Sequence, residues 1–444
     1  MVTQDLLIRM SPQAFVRLLR DGGIRRFHFV LDRGAGRLVS SHERLQPVAD
    51  FLFADRRDFQ NHEGMFFQVT REHETLQGAF VHCTVRGQAA GGLRYWQYDT
   101  MEEYLRDGLR LAVGMTRKNA LAGLWWGGGK GVMARNPAVD RDDAEVRKSL
   151  YREYGELMTA IGGAYVTAED VGTSVEDMAQ IFATTRHTTC IPPALGGSGN
   201  PSVPTARGVI AGMEAALQYL EMGSLAGKRV AVQGMGHVGE PLMQMLGDKG
   251  VAGIVACDVD GGAVEAVVRR HRESARAQIP LEARVVGQGD ESFFETECDV
   301  WSPNATGAVL NPRSIAALRA RIVCGAANNQ LEDAVRDDRL LHERGILYVP
   351  DFLTNRMGIV SCADEHAGRL PHDPLIERHL HKEWTHSIHR TCLKVFRRSQ
   401  DSGPPPSQVA EEVADALATE PHPIFGHRGQ QIIDALVAGR WFES

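Results

Sequence analysis

Two lysines stand twelve positions apart, Lys118 in Gly114-Met115-Thr116-Arg117-Lys118-Asn119-Ala120 and Lys130 in Gly127-Gly128-Gly129-Lys130-Gly131. Glycines bring backbone close to whatever it touches, because no Cβ intervenes. A lysine that is desolvated or crowded by another cation gives up its proton readily. One of the two could therefore hold a carboxylate while the other, with a lowered pKa, acts as a base. A glycine turn carrying a solvated lysine is the plainer meaning of the same residues.

A second chemical signature lies downstream. Arg229 to Gln233 is a short apolar strand, Gly234-Met235-Gly236-His237-Val238-Gly239 follows directly, and Glu240 to Leu246 has helical spacing with Leu242, Met243 and Leu246 on one side. A second strand, Val251 to Ala256, leads to Asp258, 19 positions beyond Gly239. This is the G-x-G-x-x-G pattern between the strand and the helix it requires, with the acid at the expected distance. Backbone amides at the helix start suit a pyrophosphate. Asp258 would accept hydrogen bonds from a ribose diol and repel a 2′-phosphate, which favours NAD over NADP.

Together these segments resemble the glutamate/leucine/phenylalanine/valine dehydrogenases, most nearly the leucine and phenylalanine members. The resemblance spans about residues 62–355. It is carried by Gly91-Gly92-Leu93-Arg94, both lysine segments, Thr167-Ala168-Glu169-Asp170-Val171-Gly172-Thr173 and Gly197-Ser198-Gly199-Asn200-Pro201. The dinucleotide pattern, Gly325-Ala326-Ala327-Asn328-Asn329-Gln330-Leu331 and Pro350-Asp351-Phe352 complete it.

The resemblance implies NAD-dependent, reversible oxidative deamination of an L-amino acid to the keto acid and ammonia. It implies that Lys118 binds the α-carboxylate, that Lys130 deprotonates the attacking water with Lys118 helping to lower its pKa, and that Asp170 exchanges protons with the substrate nitrogen. A helix cap before Val175 is the plain alternative for Asp170. Gly91 and Gly92 are expected to let backbone approach the substrate, and Asn355 to contact its polar end. Thr205, Ala327, Asn328 and Asn329 are expected around the nicotinamide. Gly234, Gly236, His237, Val238, Gly239 and Asp258 are expected to hold the rest of the cofactor.

Glutamate-specific members carry a lysine before the Gly-Gly pair and a serine in the C-terminal half. Here Ala90 and, by a looser match, Ile388 stand there, so a second carboxylate would be buried unpaired. An apolar substrate side chain, branched or aromatic, is expected. The chain departs from the family after Asn355, where Arg356-Met357-Gly358 replaces Ala-Gly-Gly. Long side chains there are expected to alter the loop or crowd the site. A non-catalytic homologue binding NAD or an amino acid, or a biosynthetic member making a keto acid for a specialised metabolite, are the alternatives.

Positioning these groups takes two domains, as 444 residues suggest. The fold expected is α/β: an N-terminal α/β substrate domain over 1–192, including an extension over 1–55, and a Rossmann doubly wound NAD-binding domain over 193–414, with the cleft between them. The segment from about 415 to 444 is expected to return to the first domain, and an oligomer is expected from the resemblance.

In the extension, Ser11-Pro12 should start a helix ended by Gly22-Gly23, followed by a strand over Arg26 to Asp32. Met65 to Val69 and Leu76 to Val85 should pair as strands. Thr100 and Glu103 should form a capping box for a helix reaching Lys118. Glycine, serine and proline over Gly196 to Pro204 mark the domain crossing, and Ser402 to Ser407 a stiff linker.

A formal charge of −7 gives no basic field for nucleic acid, and no apolar run of membrane-spanning length or lysine/arginine block suggests a membrane. Met1 to Pro12 carries Asp5 and Arg9 and lacks the apolar core of a secretory signal. Seven cysteines without a C-x-x-C pair suit a reduced cytoplasm. His379, His381, His386 and His389 crowd one region, but no acidic or cysteine ligand shares their spacing. A solvated helix face is expected there rather than a metal.

Overall fold

The computed structural model describes residues 4–287, 289–370 and 372–443. The chain forms two compact units, the first comprising Met1–Asn200, Cys362–Arg369 and Asp415–Ser444, the second Pro201–Ser361 and Leu370–Ala414. The first division follows Asn200, eight residues later than 192, and a short piece of helix after Ser361 also belongs to the first unit.

The first unit is built on seven strands: β1 Arg26–Asp32, β2 Arg37–Ser40, β3 Gly64–Val69, β4 Leu76–Cys83, β5 Ala89–Trp96, β6 Gly127–Ala134 and β7 Tyr165–Glu169. They form one mixed sheet in the order β2-β1-β3-β4-β6-β5-β7. Pairing is antiparallel as far as β4 with β6, then parallel for β6 with β5 and β5 with β7. The N-terminal segment is thus part of this sheet. Its helix Pro12–Asp21 starts at the Ser11 cap, and Phe15, Phe27 and Phe29 enter the same core as Phe67 and Phe80. Phe27 stacks on Phe67 at 4.7 Å between ring centroids, and such offset aromatic pairs add to the area they bury.

The long helix Met101–Leu121 is capped by the Thr100 side chain, which accepts from the Glu103 amide. Glu103 reaches back to the amide of Asp99 rather than that of Thr100, so the box closes one residue early. Lys118 lies in the last turn of this helix.

The glycine run is a strand and not a turn. All eight residues of β6 are buried, and each glycine there solves a contact. A Cβ on Gly128 would stand 2.0 Å from the Thr116 hydroxyl and 2.1 Å from its backbone nitrogen. The long helix therefore rests directly on the strand, an approach no side chain at that position permits.

The second unit carries β8 Arg229–Gln233, β9 Gly253–Asp258, β10 Leu281–Val285, β11 Val300–Pro303, β12 Ile322–Val323 and β13 Leu347–Tyr348. All are parallel, in the order β10-β9-β8-β11-β12-β13. This is the Rossmann order, with its switch point between β8 and β11. The helix after the glycine pattern runs Gly239–Asp248 and buries Leu242, Met243 and Leu246. The linker after Ser402 is shorter than expected, because a new helix begins at Pro406. No helix among the described residues is long and apolar enough to cross a membrane.

The histidine region is neither one helix nor a solvated face. A helix ends at Glu377, another begins at Ile388, and the chain between them turns. His379 and His389 are buried, His379 edge-on to Trp384 at 4.5 Å. No cluster of metal-ligating side chains exists among the described residues.

Candidate active site

In the first unit, three neighbouring strands bring the expected catalytic pair together. Lys130, in the middle of β6, is 5 % exposed, and its Nζ donates to Asp170 Oδ2 at 2.5 Å. Asp170 follows β7 directly. Its backbone amide donates to the Thr173 hydroxyl, which in turn donates to the Leu93 carbonyl of β5 and fixes the turn. The helix-cap alternative for Asp170 falls away, since Ser174 caps the helix Val175–Phe182 in a reciprocal box with Asp177. Asp170 is thereby free to face the lysine.

Gly91 and Gly92 act here through packing. A Cβ on Gly91 would stand 2.0 Å from the Gly129 carbonyl oxygen, and one on Gly92 2.7 Å from Cβ of Asp170. The Gly91 carbonyl already accepts from the Tyr165 hydroxyl at 2.6 Å. Ala90 is wholly buried within the sheet, and Lys118 is half-buried on the helix that lies against β6.

One member of the constellation has no role assigned by the sequence. Arg94 Nε stands 3.6 Å from Asp170 Oδ2, while its Nη1 pairs with Asp107 Oδ2 at 3.0 Å. Tyr98 donates to the same Asp107 at 2.8 Å. Lys130 and Arg94 thus balance Asp170 and Asp107. Burial would push the Asp170 carboxyl up, but Lys130 and Arg94 outweigh it and hold it at about 2. Burial is also the largest influence on Lys130. Asp170 counters it, Arg94 reinforces it, and the ammonium ends below its ordinary value. Arg94 is a cation acting on Lys130 that the sequence reading did not name for this role. Its signal was in the sequence, since Arg94 is two residues from Gly92 and, on an alternating strand, shares its face.

Glu169, beside Asp170, is pushed up to about 7 by burial and by the nearby Glu176, Asp170 and Asp177. Its Oε2 is buried with no hydrogen-bond partner among the described residues.

In the second unit the expected cofactor residues gather at the carboxyl ends of the parallel strands. Gly234 has φ +92° and packs against Ala305, a Cβ on Gly239 would stand 1.9 Å from the Gly234 carbonyl, and Gly236 has nothing within 4 Å of such a Cβ. The first glycine makes the turn, the last lets helix and strand touch, and the middle one leaves space where a pyrophosphate must approach. His237 and Val238 complete this turn at the helix start. Asp258 ends β9 and accepts from the Met235 and Asp260 amides at 2.7 and 3.1 Å. The donor set and the open middle glycine fit a dinucleotide.

Ala327 and the exposed Asn328 and Asn329 follow β12. Asn355 Nδ2 donates to Asn328 Oδ1 at 2.8 Å, and its own Oδ1 is buried with no partner among the described residues. Thr205, near the start of the helix Ser202–Tyr219, donates to the Pro201 carbonyl.

The Arg356-Met357 departure does not crowd this rim. Both side chains are wholly buried: Arg356 donates to the His386 carbonyl, and Met357 packs at Gly208. Ile388 is likewise buried in the unit's core beside Gly208, so it faces no open space.

The family model described as Glu/Leu/Phe/Val dehydrogenase, dimerisation domain, matches residues 65–187, and that of the Glutamate/Leucine/Phenylalanine/Valine dehydrogenases matches 196–416. The chain belongs to this family. It is 40 % identical over 337 residues to leucine dehydrogenase of Thermoactinomyces intermedius, covering 76 % of this chain and 85 % of that one. Against leucine dehydrogenase of Bacillus subtilis (strain 168) it is 39 % identical over 336 residues, covering 76 % and 85 %. The crystal structure of L-tryptophan dehydrogenase from Nostoc punctiforme superposes with a TM-score of 0.64 at 28 % identity, over 80 % of this chain and 96 % of that one. The chain is accordingly an amino acid dehydrogenase, an oxidoreductase that deaminates an amino acid with a pyridine nucleotide.

Proposed function

We propose that the protein oxidises an L-amino acid with an apolar side chain, using NAD, to the keto acid and ammonia. The observation that carries this reading is the buried Lys130–Asp170 pair at 2.5 Å, with Arg94 behind it. Bound along the glycine turn and Asp258, the nicotinamide nucleotide would accept the hydride that leaves the substrate α-carbon.

Lys118 then pairs with the α-carboxylate. Asp170 accepts a proton from the substrate ammonium, which releases the nitrogen lone pair that must form the imine. Lys130 takes a proton from the water that attacks the imine carbon, and its lowered pKa suits it to that exchange. Preference for NAD rests on Asp258, whose carboxylate would repel a 2′-phosphate.

Ala90 supports an apolar substrate, since no cation stands there to meet a second carboxylate. The leucine and tryptophan dehydrogenases named above are consistent with that class. The seven free cysteines suit a reducing cytoplasm, and the dimerisation-domain match suits a homo-oligomer. A non-catalytic role loses its main motive once Arg356 and Met357 are turned into the core.

The test is purified protein with NAD and a panel of apolar L-amino acids, followed by NADH absorbance, and the reverse reaction with keto acids and ammonia. Turnover on leucine-like or aromatic substrates is expected. Silence in both directions overturns the reading.

A further inference from the structure

Cys190 and Cys362 face each other in the first unit with their sulfurs 3.2 Å apart. Cys190 lies on the segment after the helix Val175–Phe182 and is wholly buried; Cys362 lies on the helix Met357–Gly368 and is 3 % exposed. The fold holds them there through Glu365, one turn beyond Cys362 on the same helix. Its carboxylate accepts from the backbone amides of Cys190, Ile191 and Ser198, at 2.9, 3.2 and 2.8 Å, and from the Ser198 hydroxyl at 2.5 Å. Cys190 itself sits at φ +61°, a conformation a non-glycine residue adopts only when its surroundings impose it.

This pair is close to the proposed chemistry. Thr189, the residue before Cys190, donates from its amide and its hydroxyl to the Thr167 carbonyl of β7, three residues before Asp170. Cys362 lies near Tyr165, whose hydroxyl holds the Gly91 carbonyl.

We infer that Cys190 and Cys362 form a peroxide-sensitive modification site, whose oxidation to a disulfide lowers turnover by displacing the β7 end that carries Asp170. Hydrogen peroxide is the oxidant. One thiol is oxidised to a sulfenic acid as water leaves; the second thiol attacks that sulfur, forms the S–S bond and releases a second water. Two thiols and one peroxide thus give one disulfide and two waters. Bond formation draws the sulfurs from 3.2 Å to about 2.05 Å, a movement of about 1 Å. A misplacement of that size near reacting groups costs about 100-fold in rate at the upper end. The hydrogen bond with the Cys362 thiol, and then burial, hold the Cys190 thiol well above its ordinary pKa, so the reaction answers sustained rather than brief exposure.

The experiment uses the full-length enzyme treated with hydrogen peroxide, then quenched and denatured for thiol titration. The expected count falls from seven to five, peptide mapping links Cys190 to Cys362, kcat drops about tenfold or more, and dithiothreitol restores it. C190S and C362S should keep their activity under the same treatment. Retention of seven thiols, a link between other cysteines, or an equal loss of activity in both serine variants overturns the inference. So does a formed link that leaves kcat unchanged. The consequence for turnover rests on the site reading above, whereas the thiol count does not. A dead substrate panel would therefore sink that reading while the titration still decided whether the pair forms.

Discussion

Replacing Arg94 by glutamine removes one cation from the balanced set and leaves a shorter, neutral polar side chain. Asp107 retains Tyr98 at 2.8 Å and Arg110 at 3.1 Å, so the change acts chiefly on Asp170 and Lys130. At 3.6 Å and an effective dielectric constant near that of partly buried sites, the Arg94–Asp170 attraction is about 4–5 kcal/mol, an upper bound because Lys130 remains. At about 1.4 kcal/mol per unit, Asp170 should rise by about 1–3 units. Starting from about 2, it stays ionised at neutral pH, so its own titration does not enter the working range. The Lys130 limb does. Arg94 lowers the lysine, so removing it raises the lysine, and a base that must be neutral then works only at higher pH. The assay is kcat/KM for oxidative deamination against pH. The basic-side rise should move upward by about one unit or more, with about tenfold lower activity per unit below it. R94K should return the profile towards that of the wild type. A profile for R94Q that superimposes on the wild type, or moves to lower pH, refutes the coupling.

Lys130→Ala should lower kcat by about 10²–10⁴-fold, checked by steady-state kinetics alongside circular dichroism to show that the unit still folds. Gly128→Ala places a methyl 2.0 Å from the Thr116 hydroxyl, and overpacking against backbone should cost about 3 kcal/mol. For a domain this size that lowers Tm by about 6–12 °C in a thermal melt, and an unchanged melt refutes the close helix–strand contact. Asp258→Ala should shift the ratio of kcat/KM for NADP to that for NAD by about tenfold towards NADP, measured with both cofactors. Glu169 has a folded pKa of about 7, above its ordinary 4.5, so its stabilising effect is full below 4.5 and is lost as pH rises to about 7. E169Q should flatten that decline in denaturant unfolding across this window; an identical pH dependence refutes it.

The second unit was legible because each strand and helix there carries its own local signal. The glycine pattern needs only six consecutive residues, and alternation of strands with helices implies a parallel sheet. Its helix came within two residues at either end. The first unit was less legible for a physical reason. Glycine has little intrinsic preference for a strand, so Gly127 to Gly131 reads as a turn until the helix lying on it is known. The β2 strand at Arg37–Ser40 is four residues long, mostly exposed or half-buried, and defined by its pairing with β1 rather than by its own pattern. Leu380, Trp384 and Ile388 share a helical spacing that the turn after Glu377 breaks, and nothing local marks that turn. Arg94 and Asp107 lie thirteen positions apart on a strand and a helix, so only tertiary structure reveals that the four charges balance.

That balance constrains how the proposed chemistry begins. A lysine paired at 2.5 Å with an ionised carboxylate is a poor base, because the carboxylate stabilises its charged form. Burial and Arg94 push the other way, and together they leave the ammonium below its ordinary value. An arriving amino acid brings an ammonium group, for which Asp170 is the complementary partner. Once Asp170 answers to that ammonium, Lys130 loses its counterion while Arg94 and burial remain, and its pKa must fall further. The base is then activated by the substrate whose imine it will help to hydrolyse. A keto acid, which carries no ammonium, leaves Lys130 paired and protonated, the form needed to donate a proton in the reverse direction. One carboxylate shared between an arginine and a lysine therefore suits a reversible enzyme better than an isolated lysine of permanently low pKa would.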